Sequence, residues 1–336
     1  QGESQMKPSA VKTALRELRS LRRPVFLWGP SGAGKSSVVH QYAAENKLKL
    51  VDARASQMDS IDVRGFPIPD TKRKLMEWLP ADFLPREGDP DGILFLDEMN
   101  GAMPSTASAL YQLILDFRIG AYKLPDNWTI IAAGNNAGDR GVTHQMPAPL
   151  NNRFCHIDFE IDADDWQVQA MKDKLHAHIR AYLRLKSTSL HVFDSKVNPR
   201  SFPTPRSWYF TDSIYKQDIP AVIKHELITG TIGEGAAVEF FGFVRDIQHM
   251  PDIDGVMTNP ERAPLPGSPA VMHALVTTLV DDRLTVGNYD RLMKYIARLP
   301  QEISVVFNRS AYAKDPRIAS STTYIDWCVA NQDVIR

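Results

Sequence analysis

Cysteine is scarce in this chain. Two of 336 residues, Cys155 and Cys328, lie far apart and at no metal-ligand spacing. That excludes a disulfide-stapled scaffold and a cysteine-ligated zinc fold, and a reducing, cytoplasmic setting is expected. Charge of one sign is also missing. Lys and Arg number 39 against 40 Asp and Glu, a net charge of −1, so no bulk basic field favours nucleic acid. Apolar runs are short. None approaches the roughly 20 residues that a membrane helix needs, and no secretory apolar segment is read. Histidines form no ligand set: His176 and His178 are two apart in a helical reading and share no face, and His144 and His156 have no partner at ligand spacing. Internal repeats and low-complexity tracts are absent. What is present, 43% hydrophobic and 24% charged residues, is ordinary for a soluble globular protein. The length allows two or three compact units.

One stretch dominates the rest. Gly29, Pro30, Ser31, Gly32, Ala33, Gly34, Lys35 and Ser36 fit the phosphate-loop pattern GxxxxGK[ST] at every fixed position. Its glycines let the backbone wrap close to phosphates, so that amide N–H groups point inward. The amides from Gly32 to Ser37 are the expected cradle. The Lys35 ammonium reaches the terminal phosphates, and the Ser36 hydroxyl can ligate Mg²⁺. Pro24 to Trp28 reads as a short buried strand before the loop, and Ser36 to Ala44 as a helix after it. The positive end of that helix then lies under the phosphates.

Residues 9–159 alternate strand-like and helix-like segments. Ser9 is a good cap for an amphipathic helix carrying Val11, Leu15, Leu18 and Leu21. Further strands are read at Leu48–Asp52, Gly92–Leu96, Trp128–Ala133 and Phe154–Phe159, and Pro104 opens a helix to about Phe117. The near-continuous apolar run at 92–96 is typical of a parallel strand buried on both faces. This alternation implies a doubly wound parallel sheet with ligands at the C-terminal strand ends. Residues 163–186 read as one long helix, with Val168, Met171, Leu175, Ile179 and Tyr182 at helical spacing. More helix is expected to about 249. Five prolines at 251, 260, 264, 266 and 269 mark an irregular connection, followed by a helical piece to 336. Residues 1–8 are expected to be flexible.

Two features add chemistry to the loop. Asp97-Glu98 directly follows the apolar strand. An Asp there can hold Mg²⁺ together with Ser36, and the adjacent Glu can orient and activate water. Asn135 ends the fourth strand, at the same sheet edge, within reach of a γ-phosphate or the attacking water. A strand-terminal Asn is in isolation more often a turn residue.

The order of phosphate loop, acidic pair and strand-terminal Asn resembles the AAA+ ATPases, and more specifically the MoxR group. Pro147-Ala148-Pro149-Leu150-Asn151-Asn152-Arg153-Phe154 is similar to the segment that carries that family's arginine finger, which implies that Arg153 reaches the γ-phosphate of a neighbouring subunit. Thr204-Pro205-Arg206-Ser207-Trp208 is similar to the lid-domain sensor 2 motif, which implies γ-phosphate sensing by Arg206. Gly134 to Gly141 resembles the sensor 1 loop, with Arg140 a second candidate interface arginine. The resemblance covers residues 10–245 well and the last ninety positions much less.

It implies an AAA+ P-loop parallel sheet flanked by helices at 9–162, an all-helical lid at 163–249 and a helical C-terminal extension at 250–336. ATP and Mg²⁺ are the implied cofactors. Phosphates would be bound by Gly29 to Ser37 and the metal by Ser36 and Asp97, with Glu98, Asn135, Arg153 and Arg206 serving catalysis. The implied assembly is a homo-oligomeric ring, a hexamer by the family pattern. The implied work is chaperone-like remodelling or maturation of a protein partner, often one with a von Willebrand factor A domain. Between the second and third strands, residues 53–85 hold two extended runs around a polar turn, which suggests an inserted hairpin. The resemblance identifies it with the pore-facing helix-2 insert. Phe66, Ile68, Met76 and Trp78 either grip a partner there or fold back as a satellite core, and Lys72-Arg73-Lys74 reads as a solvated turn. A nucleic-acid-directed motor or loader and a non-hydrolysing nucleotide switch remain the alternatives.

Overall fold

A computed structural model describes residues 5–136, 144, 146–193 and 200–335. It divides into two compact units, Gln1–Asp162 and Ala163–Arg336.

The first unit is built on a six-stranded sheet, in which every pairing is parallel. Its strands are β1 (Gln5–Met6), β2 (Val25–Trp28), β3 (Lys49–Arg54), β6 (Gly92–Asp97), β9 (Trp128–Gly134) and β10 (Cys155–Phe159), in the spatial order β1-β10-β2-β9-β6-β3. Two smaller hairpins stand apart from it. One pairs β4 (Phe66–Asp70) with β5 (Leu75–Leu79), and the other pairs β7 (Arg118–Ile119) with β8 (Tyr122–Lys123). Each expected strand is present within a residue or two.

Side-chain alternation explains the layers. Along β6, Ile93 and Phe95 pack with Val11 and Leu15 of helix α1 (Pro8–Ser20) and Val38, Val39 and Tyr42 of helix α2 (Lys35–Glu45). Leu94 and Leu96 point to the other face, onto Leu110, Leu113 and Ile114 of a later helix, Pro104–Asp116. With both faces covered, the strand must be apolar at every position. Part of the lead expected to be flexible over residues 1–8 is regular structure. Gln5 and Met6 pair with Asp158 and Phe159, and Pro8 rather than Ser9 opens α1.

Between β3 and β6 the chain makes helix α3 (Ser60–Arg64) and then the β4–β5 hairpin. Gly65 joins them at φ 83°, and a Cβ there would lie 1.8 Å from the Leu79 carbonyl oxygen. Only glycine passes that point without moving β5. The apolar hairpin residues do not fold back: Phe66 is 62% exposed and Met76 59%, so no satellite core forms. Helix α4 is Pro104–Asp116 and α5 is Ala148–Asn151.

The second unit is helical. The single helix expected at 163–186 is two, α6 (Ala163–Lys172) and α7 (Ala177–Leu185). Lys174 adopts φ 57°, and the Leu175 N–H turns back to Ala170 O. His176 then caps α7, its own N–H donating to the Asp212 carboxylate at 2.6 Å. The apolar spacing runs across the break, which is why periodicity alone missed it. The break also corrects the reading of the histidines. Because His176 lies outside the helix, its ring meets that of His178, with centroids 4.5 Å apart.

Helices α8 (Pro205–Tyr215), α9 (Ala221–Ile232) and α10 (Glu234–Asp246) follow, closed around Tyr182, Trp208 and Phe240. The proline-rich stretch contains α11 (Ile253–Thr258), and α12 (Pro269–Thr278) ends in a π-helical turn at Leu279–Arg283. Helices α13 (Tyr289–Ile296), α14 (Gln301–Lys314) and α15 (Thr322–Ala330) complete a core around Leu275, Leu279, Tyr289 and Phe307. Residues 163–249 and 250–336 thus belong to one compact unit. A buried ion pair joins them: Arg180 of α7 donates to Asp281 in the π turn. Among the described residues no helix is long and apolar enough to cross a membrane.

Buried imidazoles make this unit acid-sensitive. Burial, and then the neighbouring His176, push His178 down to about 4. Burial, and then Arg184, push His273 down to about 4, and His176 is also lowered, chiefly by burial. A histidine with a depressed folded-state pKa binds its proton more readily when unfolded. Its contribution is therefore intact above about pH 6.5 and is lost as pH falls toward 4. Allowing for solvent screening, His178 and His273 each cost on the order of 1 kcal/mol at pH 5. The melting temperature should fall by about 5–10 °C between pH 7.5 and 5. His178→Gln should shrink that fall in melts followed by tryptophan fluorescence.

Candidate nucleotide site

The site grows from the C-terminal ends of β2, β6 and β9. β2 runs into the loop at Gly29, and α2 begins at Lys35, directly after Gly34 at φ 105°. A side chain on residue 34 would be strained in that conformation. The loop's amides and the first turn of α2 therefore present N–H groups in one direction.

Lys35 is 93% buried, at 7% exposure. Its Nζ donates to Gly29 O at 2.6 Å, Pro30 O at 2.9 Å and Asn135 Oδ1 at 3.2 Å. The Ser36 hydroxyl donates to Asp97 Oδ2 at 2.7 Å. Glu98 follows at φ 52°, a left-handed conformation for a residue with a side chain, which costs on the order of 1–3 kcal/mol and persists only where its surroundings hold it. Two bonds do so. The Glu98 N–H donates to Asp97 Oδ1 at 2.9 Å, and the Ser56 hydroxyl donates to the Glu98 carboxylate. Asp97, Glu98, Lys35, Ser36 and Asn135 thus converge at one edge of the sheet, as the sequence led us to expect.

Two participants were missed. One is Ser56, in the turn after β3, whose position at a C-terminal strand end was the available signal. The other is Asn100, 5% exposed. Its Nδ2 donates to Asn135 O at 2.7 Å, and its Oδ1 accepts from Asn135 N–H at 3.2 Å. This clasp ties the acidic-pair turn to the end of β9. It also explains Gly134: a Cβ there would lie 2.5 Å from Asn100 Oδ1. Nothing near Asn100 in the sequence signals this contact, because its partner lies 35 residues away. Asn100→Ala leaves both backbone groups of Asn135 unpaired, a cost of about 1–3 kcal/mol. Turnover should fall about tenfold with a smaller change in nucleotide affinity, measured by phosphate release and labelled-ATP titration.

Arg153 lies just past α5 and is exposed, with its backbone N–H on Leu150 O and no side-chain partner among the described residues. Arg206 stands in the first turn of α8. There Thr204 and Ser207 form a reciprocal capping box and Pro205 takes the first helical position. Arg206 is exposed. Arg153 belongs to the first unit and Arg206 to the second. Arg140 and the loop around it lie outside the described residues.

This geometry meets an independent likeness. Residues 25–161 match the model of the ATPase family associated with various cellular activities (AAA). These residues form an AAA domain. Solved structures of similar fold include the Holliday junction branch migration motor RuvB of Thermotoga maritima, 17% identical, covering 86% of this chain and 85% of that one at a TM-score of 0.38. A Cytophaga hutchinsonii protein presented as a candidate ATPase is 12% identical, covering 97% of this chain and 89% of that one at a TM-score of 0.34. Within the AAA domain the matched segment begins at β2 and ends just after β10, so it takes in the phosphate loop, the acidic pair and Asn135.

Proposed function

We propose that the AAA domain hydrolyses ATP to ADP and phosphate, and that the energy remodels or matures a partner protein. The observation that carries the first half is the convergence of Lys35, Ser36, Asp97, Glu98 and Asn135, with Ser36 and Asp97 2.7 Å apart. A hydroxyl beside a carboxylate is a hard oxygen donor set suited to Mg²⁺. Ser36 and Asp97 are the residues that would hold it, and the bound ion would supply charge neutralisation at the phosphates.

The chain's own groups divide the remaining work. Amides from Gly32 to Ser37 cradle the phosphates at the start of α2. Lys35 sets a positive charge against the transferring phosphoryl group, Glu98 orients water and takes its proton, and Asn135 aligns it. Arg206 is assigned γ-phosphate sensing. Arg153 is assigned to the nucleotide of a neighbouring copy, and its exposed side chain, which has no partner among the described residues, supports that role. Such a site favours a ring of heterologous contacts that close, a hexamer on the MoxR pattern.

The protein-partner reading draws on the exposed apolar β4–β5 hairpin and on the near-neutral charge of the chain. A partner with a von Willebrand factor A domain is the family-based candidate. A salt-dependent mobility shift of labelled duplex DNA would favour the nucleic-acid motor instead. Lys35→Ala tests the nucleotide site. Removing one member of a buried charged contact costs about 2–5 kcal/mol, so labelled ATP should bind on the order of 10²-fold more weakly and phosphate release should disappear. Turnover at the parental rate would reject the assignment.

A further inference from the structure

The β4–β5 hairpin has two outer edges, and its sequence leaves one of them usable. Pro67 pairs with Trp78 and Pro69 with Met76 across the ladder, yet proline has no N–H to give a partner strand. Both prolines therefore occupy ladder positions whose backbone groups face away from β5. The outer edge of β4 lacks donors at those two positions, which blunts it against pairing. By the same alternation Met76 and Trp78 turn their N–H and C=O groups outward from β5. Among the described residues no third strand lies beside them, and this sheet has two strands.

The side chains tell the same story. Cross-strand partners share a face, so Phe66 and Leu79 stand on one face, and Met76 and Trp78 on the other. All four are more than 40% exposed. A two-stranded hairpin is marginal in water, and a third strand is what such a unit lacks. The turn at its tip, Lys72-Arg73-Lys74, is basic and exposed.

We infer that the outer edge of β5 is a strand-addition site, which takes an extended, apolar segment of another polypeptide, with acidic residues at the end that meets the basic turn. The added strand satisfies the outward groups of Met76 and Trp78, covers apolar surface on both faces, and gives acidic partners to Lys72 and Lys74, the Arg73 side chain already meeting Asp70 at 3.5 Å. A second copy of the hairpin is a poorer occupant. Its own free strand, Leu75–Leu79, carries one acidic residue, Glu77, at mid-strand, and offers no charge partner for the turn. The inference deepens the remodelling role and rests on it for the protein nature of the partner.

The test titrates the full chain with a fluorescent peptide that alternates valine and threonine behind two aspartates. A second peptide keeps the side chains but is N-methylated along the alternating part. Anisotropy should show binding of the first and about tenfold or greater weakening of the second, the loss expected when several peptide hydrogen bonds go. Met76→Pro, which removes an outward N–H, should weaken the first peptide more than Met76→Ala does. Equal binding of both peptides overturns strand addition, as does no binding of either to the parent chain. Self-association that Met76→Pro abolishes and the peptide does not compete would overturn it in favour of a second copy. ATP turnover is measured alongside. Turnover without peptide binding rejects this inference alone, whereas peptide binding without turnover leaves it standing and rejects the hydrolysis reading.

Discussion

Glutamine in place of Glu98 stops ATP turnover while nucleotide still binds. The substitution keeps side-chain length and an oxygen that can accept from the Ser56 hydroxyl, but it removes the group that takes a proton from water. A positioned general base contributes about 10²–10⁴ in rate, and phosphate release should fall by that factor. Labelled ATP should bind nearly as before, because the phosphate cradle and Lys35 are untouched. Loss of both binding and turnover would mean that Glu98 supports the loop rather than the reaction. Unchanged turnover would remove Glu98 from the hydrolytic step. The left-handed backbone at Glu98 sharpens the expectation, since strain held by two hydrogen bonds fixes the carboxylate at a site where chemistry uses it. Glutamine carries the same backbone cost, so folding should not confuse the comparison.

How much of this was legible before the structure depends on whether a signal was local. The phosphate loop, the strand before it and the acidic pair are contiguous patterns, and each fell where it was read. The doubly wound sheet followed from alternating apolar segments, and β6 showed its burial on both faces directly in Gly92–Leu96. What escaped was decided by contacts between distant segments. Asn100 and Asn135 lie 35 residues apart, and nothing near either one announces the clasp. The break between α6 and α7 depends on Asp212 receiving the His176 N–H from 36 residues away. The apolar periodicity that predicted one helix is real on both sides of it. The joining of residues 163–249 with 250–336 likewise rests on Arg180 and Asp281, a pairing that spacing cannot foretell. Prolines at 251–269 read as a connection, although Pro269 opens α12 in the way Pro8 and Pro104 open α1 and α4.

Arg153→Ala should cost more than any other single substitution outside the phosphate loop. An arginine supplied to a phosphoryl-transfer site is worth about 10³–10⁵ in rate in other phosphate-loop systems. The proposed role in trans makes a prediction that a role within one copy does not. Each variant alone is inactive: Arg153→Ala copies bind ATP but receive no arginine, and Lys35→Ala copies supply the arginine but bind ATP poorly. Mixed together, an Arg153→Ala copy whose neighbour is Lys35→Ala regains a complete site at that junction. Phosphate release should therefore recover to a fraction of the parental rate, rising and falling with the mixing ratio and peaking where the two are mingled in comparable amounts. Native mass spectrometry of differently tagged copies establishes that mixed assemblies form. No recovery in assemblies shown to be mixed would remove Arg153 from the neighbour's site. Full activity of Arg153→Ala alone would return it to an ordinary exposed surface residue. The two outcomes differ because a group acting across a junction is lost from one copy's chemistry and restored by another's, whereas a surface arginine changes neither.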